Sequence, residues 1–396
     1  MKKMHQLILN PVENLPFLIT ENMNSESHGL YVSDKIKSDE IVKNSKIGFS
    51  GRQEYNDRVQ EIYMTWRQAM NSEGFSMRLL SGLHAHIIIF MGIGNIGDKV
   101  LLLPEEAGGH YATKGILERL GYYVIEMAVD YENYSIDIPA TIRIVQQEKP
   151  DFIFVDRSEG INYEDFSELL SHADENVCSI FDASQYITNI IFEDLPSPFK
   201  MGFDIILSTL HKNFPGPQKA FVCSKKNSIY WKRIQKGMSD YVSSLHIENL
   251  LFAGDIIKQQ NLLKKYSKKM LTNSVQLERE LKNRGLPVVE KKTEVLPTHH
   301  IWIKMEHSDQ AFQFYKNMEA CGLLVNYRKL PYRLDYGIRM GTAAATLQGL
   351  NESNISVLAR IIADIYFGRL SADEANKKAG CFIESLIPLA ESIEPQ

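Results

Sequence analysis

Phe203-Asp-Ile-Ile-Leu-Ser-Thr-Leu-His-Lys-Asn-Phe-Pro-Gly-Pro217 runs an apolar strand into a polar Ser208-Thr209 step, then a basic pair held before a Pro-Gly-Pro turn. Such an ending delivers Lys212 to the carboxyl end of a strand, where open α/β sheets keep their ligand sites. One strand earlier, Ile180-Phe-Asp182-Ala-Ser-Gln185 ends on a carboxylate that is costly to bury without a partner. Working outward, strand-like runs at 99–103, 122–127, 151–155, 177–181, 203–207 and 220–223 alternate with helix-length segments near 109–120, 137–147 and 163–173. That alternation predicts a mainly parallel sheet with helices on both faces. Ahead of it, Val59, Ile62, Tyr63, Trp66 and Met70 form one stripe of an amphipathic helix over 57–70.

Beyond residue 225 the texture changes. Residues 246–284 read as helix, followed by a strand at 299–304, a helix at 308–320, strands near 323–326 and 335–340, and a helix at 352–367. The expected fold is α/β, a large domain with a mainly parallel sheet plus a smaller C-terminal α/β domain. The expected division is an N-terminal arm over 1–30, a large domain over 31–255, and a linking helix with the small domain over 256–396. The 396 residues are 44% hydrophobic and 23% charged, an ordinary globular profile. Lys and Arg number 44 against 49 Asp and Glu, a net charge of −5 without basic runs, which argues against nucleic acid or anionic lipid as the main partner. The most apolar run, 86–94, is about half of the roughly 20 residues a membrane span needs. The N-terminus lacks the apolar stretch of a secretory leader. Cys178, Cys223, Cys321 and Cys381 lie far apart and make no metal spacing, as expected of reduced thiols in a cytoplasmic protein.

Two literal motifs mislead. Gly92-Ile-Gly94-Asn-Ile-Gly97 matches a dinucleotide fingerprint, but it stands between a helix and a following strand, the reverse of the required order. His299-His300 invites a metal reading, yet neighbours on a strand should point to opposite faces, and no metal site is expected. Gly108-Gly109-His110 follows strand 99–103 and opens a helix, so its amides face the crevice where an anion would sit. Lys212 and Asp182 together suggest pyridoxal phosphate. That cofactor needs a lysine for its aldehyde and an acid to keep the pyridine nitrogen protonated.

In LSTLHKNFPGPQ (207–218), LSGLHA (80–85), GNIGDKVLLLPEEAGGHYATKG (94–115), Arg157-Ser158, FDASQ (181–185) and YGIRMGTAA (336–344), the chain resembles the serine hydroxymethyltransferase family, in family order from about residue 7 to 366. The resemblance implies a fold type I pyridoxal phosphate enzyme, a homodimer with active sites at the interface, acting at Cα of a small amino acid. It implies that Lys212 binds the cofactor aldehyde, Asp182 the pyridine nitrogen, and that His110 stacks on the ring. Ser81 and Gly82 would grip the phosphate, with His211 supporting that end, and Ser158 and Gln185 would face the phenolic oxygen. Arg339 would take the substrate carboxylate in a bidentate fork, with Glu13 and Tyr31 beside it.

Several family residues differ here. The family's Ser-Glu-Asn reads Val12-Glu13-Asn14, and its histidine after the aspartate reads Gln185. A glutamate associated with hydroxymethyl transfer reads Ser33, paired tyrosines of the folate pocket read Phe49-Ser50, and a leucine there falls in Glu105-Glu106. The expected reaction is therefore aldol or retro-aldol chemistry on serine, glycine or a β-hydroxy amino acid, with tetrahydrofolate use left open. A folate-independent threonine-type aldolase or transaldolase stands as the alternative, followed by an aminotransferase or racemase.

Overall fold

The computed structural model describes residues 5–16, 53–292 and 295–391. Most of the expected N-terminal arm, and with it Tyr31, Ser33, Phe49 and Ser50, lies outside the described residues.

The central sheet has seven strands: β1 (Gly74–Ser76), β2 (Lys99–Leu102), β3 (Tyr123–Glu126), β4 (Phe152–Val155), β5 (Cys178–Asp182), β6 (Ile205–Thr209) and β7 (Ala220–Ser224). Their order is β1-β7-β6-β5-β4-β2-β3. From β6 through β3 every pairing is parallel, while β7 runs antiparallel to both β6 and β1. Strands β4 to β7 are buried along their whole length, the mark of a sheet covered on both faces. Helix α1 (Gln53–Met70) lays the expected stripe on one face, with Val59, Ile62, Trp66 and Met70 buried. Trp66 meets Phe214 with ring centroids 5.1 Å apart, so this helix props the loop that carries Lys212.

On the other face, α2 (Gly82–Ile93) buries Ala85, Ile88, Ile89, Phe90 and Ile93. The glycines of the false fingerprint have packing tasks. A Cβ on Gly92 would lie 3.0 Å from the Arg233 carbonyl, and one on Gly94 would lie 2.1 Å from the Tyr122 hydroxyl. Helix–turn–strand is the observed order there, as the sequence suggested.

A second core gathers the C-terminal residues around a four-stranded sheet. Its strands β8 (Val288–Val289), β9 (His300–Lys304), β10 (Asn326–Lys329) and β11 (Tyr336–Gly341) order as β8-β9-β11-β10, all antiparallel. The segment following β4 ties the two cores. Arg157 donates to the Tyr332 hydroxyl, Thr298 donates to the carbonyls of Gly160 and Ile161, and Asn162–Tyr163 pairs with Leu296–Pro297. Three expectations need adjustment. The helix near 109–120 forms only over Thr113–Arg119, the one near 163–173 only over Ser167–Ser171, and a helix at Ala372–Glu384 was not foreseen.

Candidate active site

Four strand ends meet at one pole of the central sheet. Beyond β2, the turn through Gly108 and Gly109 brings His110 inward. Gly108 has φ +90°, and a Cβ on it would lie 2.0 Å from the Glu159 carbonyl oxygen, so only glycine lets this turn lie against the segment after β4. Ser158 and Glu159 then donate their amides to the Gly108 carbonyl.

Asp182, the last residue of β5, is buried. Its Oδ2 lies 2.8 Å from His86 Nε2, and its Oδ1 accepts from the Ser184 amide at 2.8 Å and the Ser184 hydroxyl at 2.5 Å. Burial alone would raise this carboxyl. The His86 hydrogen bond, the Lys212 charge and Ser184 outweigh it and hold Asp182 below the usual carboxylate value. Ser184 in turn accepts from the Thr209 amide at 2.9 Å, which locks the ends of β5 and β6 together.

Lys212 follows β6. Its amine makes no hydrogen bond among the described residues, and burial, with a smaller push from Arg339, pulls it below the usual lysine value against the opposing charge of Asp182. Its carbonyl accepts from Asn14 at 2.6 Å, and Asn14 also donates to the Tyr266 hydroxyl at 2.9 Å. His110 and His211 flank it, both lowered to about 4 by burial and by Lys212, with His86 adding to the effect on His110. His211 Nδ1 is 2.8 Å from the Thr209 hydroxyl. At the start of α2, the Ser81 hydroxyl caps the helix by accepting from the His84 amide at 3.2 Å. A Cβ on Gly82 would lie 3.3 Å from Thr209 and 3.9 Å from the Ser184 hydroxyl, so the helix start opens beside the same strand ends.

Arg339 sits on β11, buried, and its Nε donates to Asn326 Oδ1 at 3.1 Å. One terminal nitrogen stands 3.6 Å from Glu159 Oε2, a loose contact that hydrogen-bonds neither atom. Burial lowers the guanidinium to about 10 despite Glu159, with Arg328 adding to the effect. Glu159 also pairs with Arg328, and its own carboxyl is raised by burial against both arginines.

The structure thus gathers Asp182, Lys212, His110 and His211 beside Ser81 and Gly82, with Arg339 within electrostatic reach of Lys212. Ser158 lies half-buried beside Gly108. Glu13 is exposed and makes no side-chain contact with this cluster among the described residues. Gln185 is buried: its amide oxygen accepts from His299 Nε2 and His300 Nε2, each at 3.1 Å, while its amide nitrogen has no partner among the described residues. The opposite-faces expectation for His299 and His300 is therefore wrong. His299 precedes β9, outside the pleat, and the ring centroids lie 4.5 Å apart. Among the described residues no group of three or more His, Cys, Asp or Glu gathers to hold a metal. His86, Ser184, Asn14 and Glu159 were not assigned from sequence. His86 lay hidden in the apolar run of α2, although a polar residue on a buried helix face is itself a signal.

A lysine with a loosened proton, an ionised aspartate with one edge open and a capped helix start suit an aldehyde, a pyridine nitrogen and a phosphate respectively. Fold and donor set define a pyridoxal-phosphate-dependent enzyme built on a parallel α/β sheet. The chain belongs to the serine hydroxymethyltransferase family, whose model matches residues 50–362. It is similar to the serine hydroxymethyltransferases of Saccharolobus solfataricus (26% identical, 93% of this chain and 88% of the relative) and Sulfolobus acidocaldarius (24% identical, 93% and 87%). Its fold is similar to that of an L-threonine transaldolase from Pseudomonas fluorescens, with a TM-score of 0.89 at 20% identity over 98% of this chain and 88% of that one. The protein is an enzyme of the pyridoxal-phosphate-dependent hydroxymethyltransferase and aldolase type, with aldol chemistry at the Cα–Cβ bond. Among the described residues no helix is long and apolar enough to cross a membrane.

Proposed function

We propose that this enzyme makes and breaks the Cα–Cβ bond of a β-hydroxy amino acid, exchanging glycine with an aldehyde, without tetrahydrofolate. The observation that carries the folate-independent reading is the cleft beside Arg328. It has a volume of about 740 Å³ and is lined by Glu105, Glu106, Glu126, Arg328, Lys329, Arg333 and Asp335 among others. Arg328 is already paired with Glu159, and Glu105 has no cationic partner among the described residues. Glu126 is paired with Lys114, so Glu105, Glu106 and Asp335 stand against Lys329 and Arg333, a slight acidic excess that disfavours the carboxylates of a reduced folate. Membership of the family favours the second reading, serine–glycine interchange with tetrahydrofolate.

In the proposed assignment Lys212 bonds the cofactor aldehyde carbon and Asp182 the pyridine nitrogen. Ser81, Gly82 and His211 hold the phosphate end, and Ser158 and Gln185 attend the phenolic oxygen. Bound pyridoxal phosphate would supply the electron sink for the pair left at Cα. Arg339 turns its free edge to the substrate carboxylate, which orients the Cα–Cβ bond for cleavage, with Glu13 and Tyr31 beside it. His110 packs on the ring and, being neutral, can accept the β-hydroxyl proton. The homodimer, the cytoplasmic location and the division at 30 and 255 belong to the same proposal.

The test is to incubate the cofactor-loaded enzyme with L-threonine and with phenylserine and to quantify glycine and aldehyde, with and without tetrahydrofolate. Aldehyde release indifferent to folate is expected. Serine-dependent formation of methylenetetrahydrofolate faster than any aldehyde release would overturn the reading.

A further inference from the structure

Asp182 is the near end of a buried chain that leads away from the cleft. Beyond its 2.8 Å contact with His86 Nε2, His86 Nδ1 faces the Thr113 hydroxyl at 3.2 Å, and the Asp156 carboxyl lies against that hydroxyl and the His110 backbone. His86 is 2% exposed, Thr113 1% and Asp156 2%, so bulk solvent does not reach the set.

Donor and acceptor counts give the chain a direction. Asp182 is held in its ionised form and accepts on both oxygens, so His86 donates from Nε2. If its ring is neutral, Nδ1 accepts and Thr113 must donate to it. The hydroxyl then offers Asp156 only a lone pair. An ionised Asp156 would meet that lone pair with its own, leaving only the backbone amides of His110 and of Asp156 itself to face it. Nor is there a cation to hold it. Arg157, next in the chain, turns to Glu164 at 2.6 Å, to the Ala107 carbonyl at 2.7 Å and to Tyr332, while the like charge of Asp182 opposes ionisation of Asp156. The alternative with the same proton count puts the proton on His86 and leaves two carboxylates. It buries three charges where the first arrangement buries one. Burial also raises Asp156 well above the usual carboxyl value.

We propose that Asp156 is a neutral carboxylic acid in the folded protein, closing a one-way hydrogen-bond chain through Thr113 and His86 that fixes the orientation and charge of Asp182. His86, Thr113 and Asp156 are positioning residues, since none of them faces Lys212. Their effect on the cofactor rests on the assignment of Asp182 to the pyridine nitrogen. The state of Asp156 does not.

Two measurements test this. In the apoprotein at neutral pH, an infrared difference spectrum between wild type and Asp156→Asn should show the carbonyl stretch of one protonated carboxyl. A carboxylate pair of bands in its place would overturn the proposal. In the loaded enzyme, His86→Leu and Asp156→Leu should each weaken pyridoxal phosphate retention by about 10-fold and move the pH midpoint of the visible band. Asp156→Asn, which restores an N–H donor toward Thr113, should rescue both. A defect in Asp156→Asn equal to that of Asp156→Leu would overturn it too. If wild type takes up no pyridoxal phosphate, the cofactor assignment fails, and the infrared band alone decides the state of Asp156.

Discussion

Lowering the pH of the apoprotein from 7 to 5.5 should cost about 2.5 kcal/mol of stability through two side chains alone. His299 and His300 are both fully enclosed, and both donate to the single oxygen of Gln185. Their charged neighbours are cations: Lys291 and Arg339 for both rings, and Lys212 for His300. Burial first, then those cations, push His299 down to about 3 and His300 well below the ordinary 6.5. In the unfolded chain both rings titrate near 6.5. The unfolded state therefore binds protons that the folded state refuses, so the contribution is complete above pH 6.5 and is lost as pH falls toward 3. Between pH 7 and 5.5 the unfolded state gains by a factor of about eight per ring, or about 1.3 kcal/mol. Urea unfolding at the two pH values measures the loss, in wild type and in a variant with His299→Gln and His300→Gln. His110 and His211 titrate in both proteins, so the difference isolates the pair. The drop should shrink by about 2.5 kcal/mol in the double variant, and by about half in His300→Gln alone if the double variant folds poorly. Equal drops in wild type and variants would refute the reasoning.

Lys212→Ala should leave the fold intact, abolish the visible absorbance of the loaded enzyme and cut turnover by at least about 10³-fold, measured by aldehyde release and spectrophotometry. Arg339→Lys keeps the charge but loses the fork and the Nε bond to Asn326, so KM for the amino acid should rise about 10-fold or more in steady-state kinetics. Gly108→Ala forces a side chain into a left-handed turn against the Glu159 carbonyl and should lower stability by more than about 1 kcal/mol in thermal melts.

Much of this architecture is legible in the residues because the large sheet is patterned strongly. Runs such as FIFV and CSIFD are buried throughout and fall where apolar continuity placed them. Lys212 and Asp182 were legible for the same reason: each is a polar residue at the end of an apolar strand. Features that depend on which residues meet across the fold were not. His299 was read as pleated with His300, but the Thr298 hydroxyl bond to Gly160 holds the chain just before the strand, and both rings turn to Gln185. His86 was masked by the apolar residues around it. Glu159 could not be linked to Arg328 and Arg339, which are supplied more than a hundred residues later by β10 and β11. The helix at Ala372–Glu384 did leave a local signal, since Ser371 and Glu374 form a reciprocal capping box.

The short segment after β4 does more than its sequence suggests. Asp156 faces the chain behind Asp182, Arg157 bonds Tyr332 across the seam between the two cores, and Glu159 stands between Arg328 and Arg339. Gly160 and Ile161 then accept from Thr298, immediately before the histidine pair. One stretch of backbone thus fixes the surroundings of Asp182 and of Arg339. In the proposed assignment, the placement of those two groups would set which bond at Cα is broken. A parallel sheet carries such a segment well, because β4 is paired on both sides and buried along its length. The loop after it inherits a rigid origin and can hold residues from two cores in one geometry.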